Sequence, residues 1–315
     1  MSASGFQYVY GPVPSRRLGR SLGIDLVPFK TCTYDCVYCQ LGRTTNKTIK
    51  RKEYVAVEEI LAELERKLAG EHVPDYIGIA GSGEPTLNSG IGGLVNKIKA
   101  LTDIPVAVLT NGSLLWMSEV QDALMGADLV LPSLDAGDDP LFQYVNRPHG
   151  ELSFERMTDG IAAFTRRFSG KVWLEVFLLG GVTGIPAEVE KIAAIVRRIQ
   201  PARVQLNSVS RPPAEEFALP LSINQMLALK DFFPGQVDII PEIERDSAKV
   251  SAFAQAREVD ILALLSRRPC TINDIAKGLG LHQNVVVKTL EHLRGDGKVI
   301  EERIGGSLYF RLGQR

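Results

Sequence analysis

Short strand-like segments alternate with amphipathic helical segments along most of this 315-residue chain. Runs rich in β-branched residues predict strands at 21–28, 76–80, 105–110, 127–134, 171–179, 203–209 and 237–240. Apolar residues at helical spacing predict helices at 55–70, 90–102, 118–125, 153–168, 186–200 and 222–233. Strands separated by helices of this length form parallel βαβ units. Roughly six or seven such units predict an α/β fold with an incomplete TIM-like barrel.

Polar motifs follow three neighbouring strands of this predicted barrel. GSGEPTL (81–87) follows the second strand, TNGS (110–113) ends the third, and PSLDAG (132–137) ends the fourth. In barrels of parallel strands the active site lies at the carboxyl ends of the strands. The sequence therefore predicts that these motifs meet at one site.

A cysteine loop follows the first predicted strand. Cys32, Cys36 and Cys39 lie in FKTCTYDCVYCQLG with the spacing C-x3-C-x2-C. Three thiolates this close together can bind three irons of a [4Fe–4S] cluster, which leaves the fourth iron without a protein ligand. Catalytic metal sites keep such an open position, whereas structural sites close it. The spacing therefore favours a cluster that takes part in chemistry.

Other uses of these thiols are less consistent with the sequence. A structural zinc site needs four ligands, and the fourth cysteine of the chain, Cys270, is distant and forms no histidine-containing second pair. A distant residue could still fold back, so zinc stays an alternative. The chain shows no apolar signal region or membrane span, which predicts a cytoplasmic protein with reduced thiols rather than disulfides.

The cysteine spacing, with Tyr38 directly before the third cysteine, resembles the signature of the radical S-adenosylmethionine (SAM) superfamily. The resemblance implies a partial (β/α)6 barrel, and a [4Fe–4S] cluster whose unique iron is chelated by SAM. It also implies that a flavodoxin or ferredoxin reduces the cluster. SAM is then cleaved to a 5′-deoxyadenosyl radical, which abstracts a hydrogen atom from the substrate.

The lead-in PSRRLGRSLGID is most similar to the wyosine-type Fe–S oxidoreductase group within this superfamily. Those enzymes carry further N-terminal cysteines for a second cluster, and this chain has none before Cys32. That difference puts their tRNA reaction in question here. With one cysteine left beyond the loop, a second cysteine-ligated cluster is not expected.

The segment after the second strand resembles the GGEP motif of the superfamily. In that motif the backbone and the acid face the amino group of SAM, and the role carries over to Gly81, Ser82, Gly83 and Glu84. Two glycines beside a proline also let a backbone approach a ligand closely. The alternative is an ordinary Gly-Pro turn that closes a βα unit.

Further polar residues are candidates for the same site. Ser133 and Asp135 resemble a Ser-Leu-Asp segment that some members place near SAM and substrate, and Asn111 holds a similar position. Each could instead cap the following helix. Glu175 lies inside an apolar strand, where an acid should be paired or belong to a site. Strand alternation could instead point Glu175 outward between helices.

Arginines cluster in two loops. Arg16, Arg17 and Arg20 lie within 12–20, and the loop VNRPHG (145–150) adds Arg147 and His149. Arginine-rich loops suit recognition of a carboxylate or a phosphate. The alternative is a solvated surface or a salt bridge over the barrel mouth.

A second domain is predicted at 255–315, after a barrel domain at 1–245. Its pattern of a helix, two further helices and a hairpin resembles a winged helix. Residues 255–315 contain ten Lys or Arg and seven Asp or Glu, which is a weak charge for a DNA-binding module. The third helix is expected to present His282, Gln283, Asn284 and Lys288 outward. Docking of RNA, a peptide or a protein, or packing against the barrel, is favoured over operator recognition.

The sequence thus predicts a radical SAM enzyme with one cluster and an unidentified substrate, for which tRNA, a peptide and a protein are candidates. An activase that modifies a partner protein is one form of this prediction. The alternative is a cluster-containing, SAM- or redox-sensing DNA-binding regulator. A net charge of −1 argues against whole-protein attraction to nucleic acid or membrane.

Overall fold

The structure, a computed structural model, describes residues 7–70, 73–210, 212–240, 252–265, 269–279, 281–304 and 307–313. The chain divides into two compact units. One is Pro12–Glu242, and the other combines Met1–Gly11 with Ile243–Arg315. The predicted domain boundary at residue 245 lies outside the described residues.

The first unit is built around an eight-stranded sheet with the strand order β1-β2-β5-β6-β7-β8-β9-β10. All pairs from β2 to β10 are parallel. Two short strands, β3 and β4, form a separate parallel pair. The strands are β1 Val9–Ser15, β2 Gly19–Ile24, β3 Thr31–Cys32, β4 Asn46–Lys47, β5 Tyr76–Ile79, β6 Val106–Thr110, β7 Leu129–Pro132, β8 Lys171–Leu178, β9 Arg203–Ser208 and β10 Val237–Ile239.

Helices connect these strands as the periodicity predicts. They are α1 Val57–Leu68, α2 Ile91–Leu101, α3 Ser118–Leu124, α4 Asp139–Val145, α5 Phe154–Arg167, α6 Pro186–Ile199 and α7 Ile223–Lys230, with a 3-10 turn at Pro85–Leu87. Among the described residues β1 and β10 are the sheet edges and do not pair, so the barrel is open. The prediction of an α/β fold with a partial barrel is confirmed.

The central strands are buried on both faces, as expected for a parallel sheet covered by helices. Side chains alternate along a strand, so one face of β8 carries Trp173, Glu175 and Phe177. The register of β8 with β9 places Arg203, Gln205 and Asn207 beside these three residues, in that order. We call this the inner face of the sheet. An apolar cluster of Leu18, Ala107, Leu129 and Leu131 packs with Trp173 on it.

The second unit contains three helices followed by an antiparallel hairpin. These are α8 Ala252–Leu265, α9 Ile272–Leu279, α10 Gln283–Gly295, β11 Val299–Ile304 and β12 Ser307–Leu312. Its core includes Ile261, Ile275, Val286, Leu290 and Phe310, all buried. The order of elements matches the sequence expectation, and the assignment as a winged helix stays a prediction.

The start of α10 differs from the sequence expectation. Asn284 is buried rather than outward. The His282 ring stacks on Tyr10 with 4.2 Å between ring centroids, and its Nδ1 atom accepts a hydrogen bond from the Asn284 backbone. His282 therefore caps the N-terminus of α10. The periodicity of the helix could not predict the stack of His282 on Tyr10, because the two residues are distant in sequence.

In the part of the chain that the structure describes, every helix falls short of the length and apolarity that a bilayer crossing requires.

Candidate metal and cofactor site

The cysteine loop is fixed by backbone hydrogen bonds to the end of α4. Val37 N donates to the carbonyl oxygen of Val145 at 2.9 Å, and Asp35 N donates to that of Asn146 at 3.0 Å. Cys32 lies on β3, whereas Cys36 and Cys39 follow in the loop and are joined by a turn with an N–O distance of 3.2 Å. All three thiols are half-buried.

Each of the three sulfur atoms has a nitrogen donor from a different segment. Lys30 Nζ lies 3.0 Å from Cys39 Sγ. Asn111 Nδ2 lies 3.6 Å from Cys32 Sγ, and Asn146 Nδ2 lies 3.5 Å from Cys36 Sγ. Hydrogen bonds to cluster sulfurs stabilise their negative charge and tune the reduction potential. This is the arrangement expected around metal-bound thiolates.

Burial controls the ionisation of these groups. It raises the pKa of Cys32 to about 12, and the nearby Glu84 carboxylate adds to the effect. Burial likewise raises the pKa of Cys36 well above its ordinary value. Coordination deprotonates a thiol outright, so metal binding would supply the thiolate form. Burial lowers the pKa of Lys30, but the Cys39 charge and hydrogen bond outweigh it, and the net shift is upward.

The three thiols fit a cluster better than a single metal ion. Within the described ranges, no three His, Cys, Asp or Glu side chains converge as ligands of one metal ion. A single zinc ion requires its sulfur ligands about 2.3 Å from one point. A cluster instead spreads three thiolates over three irons. Three thiolates with nitrogen donors to their sulfurs fit an iron–sulfur cluster, since soft thiolate ligands select such clusters.

The loop after β5 packs directly on the cysteine loop. Gly83 stands so close that a Cβ atom there would lie 1.9 Å from the Thr31 carbonyl oxygen. Gly81 has a φ of +72°, a conformation that favours glycine, and faces Asp25. Ser82 N donates to Asp25 Oδ1 at 3.0 Å. This loop therefore does more than close a βα unit, because it supports the backbone that carries Cys32.

Glu84 is fully buried and accepts hydrogen bonds from several donors. They are Thr86 N at 3.0 Å, Thr86 Oγ1 at 2.6 Å, Thr110 Oγ1 at 2.7 Å and Asn111 N at 2.7 Å. Burial raises its pKa, and these hydrogen bonds oppose the shift. The carboxylate thus joins the loops after β5 and β6 and holds Asn111 beside Cys32. A direct role toward SAM stays a prediction.

Asp135 organises the loop after β7. It accepts hydrogen bonds from Tyr38 Oη at 2.5 Å, Asn146 Nδ2 at 2.8 Å and Phe177 N at 3.1 Å. Burial raises its pKa to about 6, against the lowering effect of the Tyr38 and Asn146 hydrogen bonds. The Tyr38 ring stacks on Phe177 with 4.0 Å between centroids. Asp135 therefore connects the cysteine loop to the inner face.

The capping alternative for the polar loop residues is wrong. Asp138 caps α4, and the residue before α3 is Met117. Asn111, Ser133 and Asp135 therefore do not cap α3 or α4. Asn111 Oδ1 instead accepts a hydrogen bond from Ser113 N at 3.0 Å.

Glu175 lies on the inner face and is paired, so the outward alternative is wrong. Its carboxylate forms an ion pair with Arg17 and accepts a hydrogen bond from Asn207 Nδ2 at 2.8 Å. Ser133 is half-buried, and its backbone forms a parallel β-bridge with that of Glu175. These residues line the sheet next to the Tyr38–Phe177 stack.

The candidate arginines separate into different places. Arg147 forms an ion pair with Glu215 at 2.7 Å, and Glu215 N donates to Val37 of the cysteine loop at 2.9 Å. For Arg147, the alternative of a salt bridge beside the site thus holds. Arg20 instead binds the Val73 carbonyl oxygen at 3.1 Å.

Sequence reasoning missed two sulfur donors, Lys30 and Asn146. Lys30 lies two residues before the first cysteine and has a φ of 59°, which is uncommon for a lysine. Asn146 directly precedes Arg147 in the VNRPHG loop, whose cationic residues suggest recognition of an anion. The sequence could have indicated Lys30 as a sulfur donor, because it lies close to the cysteine motif. No feature of the sequence indicates Asn146 as one.

The chain is similar to a known protein family. The family model described as the radical SAM superfamily matches residues 26–199. This range begins just before the cysteine loop and ends with α6.

Two relatives match nearly the whole of this chain. A UPF0026 protein of Methanocaldococcus jannaschii is 33% identical over 96% of this chain and 94% of its own length. A protein of Brachyspira hyodysenteriae named GTPase Obg is 42% identical over 96% of this chain, but the chain spans only 45% of that protein. The activity in that name refers to the longer protein.

Solved structures share the fold. A radical SAM methyltransferase from Sphaerobacter thermophilus superposes with a TM-score of 0.52 at 18% identity, covering 70% of this chain and 66% of that one. SuiB from Streptococcus suis, bound to SAM, gives 0.50 at 14% identity, covering 69% and 51%. This chain belongs to the radical SAM superfamily of enzymes, whose cofactors are a [4Fe–4S] cluster and SAM.

Proposed function

We propose that this chain is an enzyme that reductively cleaves SAM at a single cluster bound by Cys32, Cys36 and Cys39. When bound, the two cofactors supply a 5′-deoxyadenosyl radical, which abstracts a hydrogen atom from the substrate. The observation that carries the proposal is the set of three thiols, each with its own nitrogen donor, at the carboxyl edge of a parallel sheet.

The chain's own residues would hold SAM along this edge. The Gly81–Glu84 loop packs on the cysteine loop, where Glu84 N donates to the Thr31 carbonyl oxygen at 3.1 Å and Lys30 N donates to that of Ser82 at 2.8 Å. Asn111 and Ser133 end the neighbouring strands, and Glu84 fixes the first of these. Tyr38, Asp135 and Glu175 continue the polar surface to the inner face. We assign these residues to SAM binding and orientation.

The substrate and partners of the reaction are also proposals. A flavodoxin or ferredoxin would reduce the cluster. Candidate macromolecular substrates are an RNA, a peptide or a protein, with the second unit as the docking module. A sensing regulator remains without support, because the family model that matches the chain is that of the radical SAM superfamily.

The test is anaerobic SAM cleavage with two matched cysteine variants. Reconstituted protein is mixed with SAM and dithionite, and 5′-deoxyadenosine is measured by chromatography. We expect wild type and Cys270→Ala to form it, since Cys270 is buried in the core of the second unit. Cys36→Ala should lose both iron and product. Equal product from Cys36→Ala, or none from a wild type that holds its cluster, would contradict the proposal.

A further inference from the structure

A cavity of about 490 Å³ lies among the turn between β1 and β2, the strands β9 and β10, and the helix α7. Its walls include Arg203 and Val237, which are the first residues of β9 and β10. The cavity therefore reaches the amino ends of these strands, whereas the three thiols lie at the carboxyl edge of the sheet. Small-molecule sites have volumes of about 300–1,000 Å³, so the cavity has room for a ligand of its own.

The charged side chains of the lining do not select an anion. Two of its arginines are already ion-paired, Arg17 with Glu175 and Arg203 with Asp238. Arg16 also has an interaction of its own. Lys230 is a single half-buried lysine, which does not define an anion site by itself. Hydrogen bonding rather than net charge must therefore select a ligand here.

Two buried polar atoms of the lining residues lack a hydrogen-bond partner among the described residues. One is an acceptor, Gln205 Oε1, on a residue that is 2% exposed. The other is a donor, Arg17 Nε, because the ion pair with Glu175 uses Nη2 instead. Leaving a buried polar group without a partner is unfavourable, so such groups beside a cavity point to a ligand. That ligand must supply one donor and one acceptor.

The two unpaired atoms belong to side chains that meet at Glu175. Gln205 is beside Glu175 in the register of β9 with β8, and neighbouring strands are about 4.8 Å apart. The Arg17 guanidinium binds the Glu175 carboxylate. One edge of a small ligand can therefore meet both Gln205 Oε1 and Arg17 Nε.

A cyclic amide carries the required donor and acceptor on one edge. In a trans peptide unit the N–H and C=O groups point to opposite sides, so one unit cannot offer both groups to adjacent partners. A ring that contains the amide places its N–H beside its C=O, as the edges of nucleobases do. The hydrogen-bonding pattern therefore favours a heterocyclic amide over a peptide.

Another wall of the cavity is apolar. Ile223 and Leu227 of α7 are 54% and 51% exposed, although both are large aliphatic residues. They are four positions apart, so they share one face of the helix. Contact with the flat face of a ring would remove this apolar surface from water, which is favourable.

We propose that this cavity is a ligand site in addition to the SAM site, and that it binds a small planar cyclic amide. Gln205 Oε1 accepts a hydrogen bond from the ligand N–H, and Arg17 Nε donates one to the ligand carbonyl oxygen. Ile223 and Leu227 pack on the ring. The ion pair between Arg17 and Glu175 stays in place, because it uses the Nη2 atom.

A matched pair of ligands tests this assignment on the full chain. Saturation-transfer NMR measures the dissociation constants of uracil and of 1,3-dimethyluracil, which keeps both carbonyl groups but has no N–H. We expect uracil to bind at least about ten-fold more tightly, because the methylated ring leaves Gln205 Oε1 unpaired. Equal binding of the two rings, or no binding of uracil, would overturn the inference.

A single-stranded oligouridine is the second arm, because its bases carry the same amide edge. We expect uracil to bind at least as tightly as the oligonucleotide. Tighter binding of the oligonucleotide would show that the ligand is a base within a nucleic acid, and would overturn the small-molecule assignment.

A variant of Gln205 locates the binding. Gln205→Leu removes the acceptor at similar side-chain size, so it should weaken uracil about ten-fold and leave 1,3-dimethyluracil unchanged. Gln143→Leu, a change of an exposed glutamine on α4, is the control and should bind both rings as wild type does. Unaltered uracil binding in Gln205→Leu would overturn the inference.

Thermal unfolding of the same variant separates a ligand-binding role from a structural one. Gln205→Leu should unfold at the wild-type temperature or above it, because no described residue donates to Gln205 Oε1. A lower unfolding temperature would show that the amide serves the fold instead, and would overturn the inference. None of these measurements involves SAM cleavage, so their outcomes leave the proposed function untouched.

Discussion

At the residue scale, Asn146 connects the metal site to the buried polar network. Its Nδ2 atom lies 3.5 Å from Cys36 Sγ and 2.8 Å from Asp135 Oδ2. A donor to a cluster sulfur stabilises the more negative, reduced state. Asn146 is thus placed to tune the cluster rather than to bind it.

Replacing Asn146 should change the reduction potential of the bound cluster. Asn146→Leu should shift the potential of the bound cluster downward by about 40 mV, if the lost hydrogen bond is worth about 1 kcal/mol. A redox titration followed by electron paramagnetic resonance (EPR) measures the shift. Asn96→Leu, an exposed change on α2, is the control and should leave the potential unchanged. An unaltered potential in Asn146→Leu would contradict the tuning role.

The stability of the folded protein should depend on pH through Asp135. Burial raises its pKa from an ordinary 3.8 to about 6, so the folded state keeps a proton that the unfolded chain releases. The resulting stabilisation is complete below about pH 4 and is lost as the pH rises through 6. Its full size is about 3 kcal/mol, from 1.36 kcal/mol per pKa unit.

We therefore expect the free energy of unfolding of cluster-free wild type to fall, relative to Asp135→Asn, between pH 4 and pH 7. Urea unfolding at several pH values measures this difference. The comparison isolates Asp135 because other titrating groups, including Glu84, are shared by both proteins. Parallel curves for the two proteins would show that Asp135 does not titrate in this range.

At the element scale, the loop after β5 depends on the absence of a side chain at Gly83. A Cβ atom there would lie 1.9 Å from the Thr31 oxygen and 2.8 Å from its carbonyl carbon, and both are backbone atoms that cannot move cheaply. We expect Gly83→Ala to lower the free energy of unfolding by about 1–3 kcal/mol or more, as overpacking does. The displaced Thr31 should also reduce iron binding at Cys32.

Gly93→Ala is the matched control for this change. Gly93 lies in α2 and has nothing within 4 Å of an added Cβ atom. Alanine is favoured over glycine in a helix by about 0.5–1 kcal/mol, so this variant should be as stable as wild type or slightly more so. Equal effects of the two variants in urea unfolding would refute the packing argument.

Most elements of the first unit follow from the sequence because strand and helix periodicities are local. The helix α4 is the one connecting helix of this unit that the sequence analysis did not predict; Asp-Pro at its start indicates a turn as readily as a helix. The three cysteines were predictable from spacing. Asn146 was not, since it stands 110 positions from Cys36 and no local pattern marks that contact. The Glu175 partners, Arg17 and Asn207, likewise depend on how the sheet curls.

At the scale of the whole molecule, every contact to a thiol described above lies within Pro12–Glu242. Removing residues 255–315 should therefore leave the cluster and SAM cleavage largely intact. Iron content and 5′-deoxyadenosine formation measure this, with circular dichroism to verify folding. Loss of iron from a folded, truncated chain would show that the second unit is needed for the site.

The central claim is that three cysteines leave one iron open for SAM. The measurement that tests it most directly is iron content with EPR of the reduced protein, recorded without and with SAM under anaerobic conditions. We predict about four irons per chain and a spectrum that changes on addition of SAM, because SAM would occupy the open iron. A chain that binds no iron, or a reduced cluster whose spectrum SAM leaves unchanged, would contradict the account.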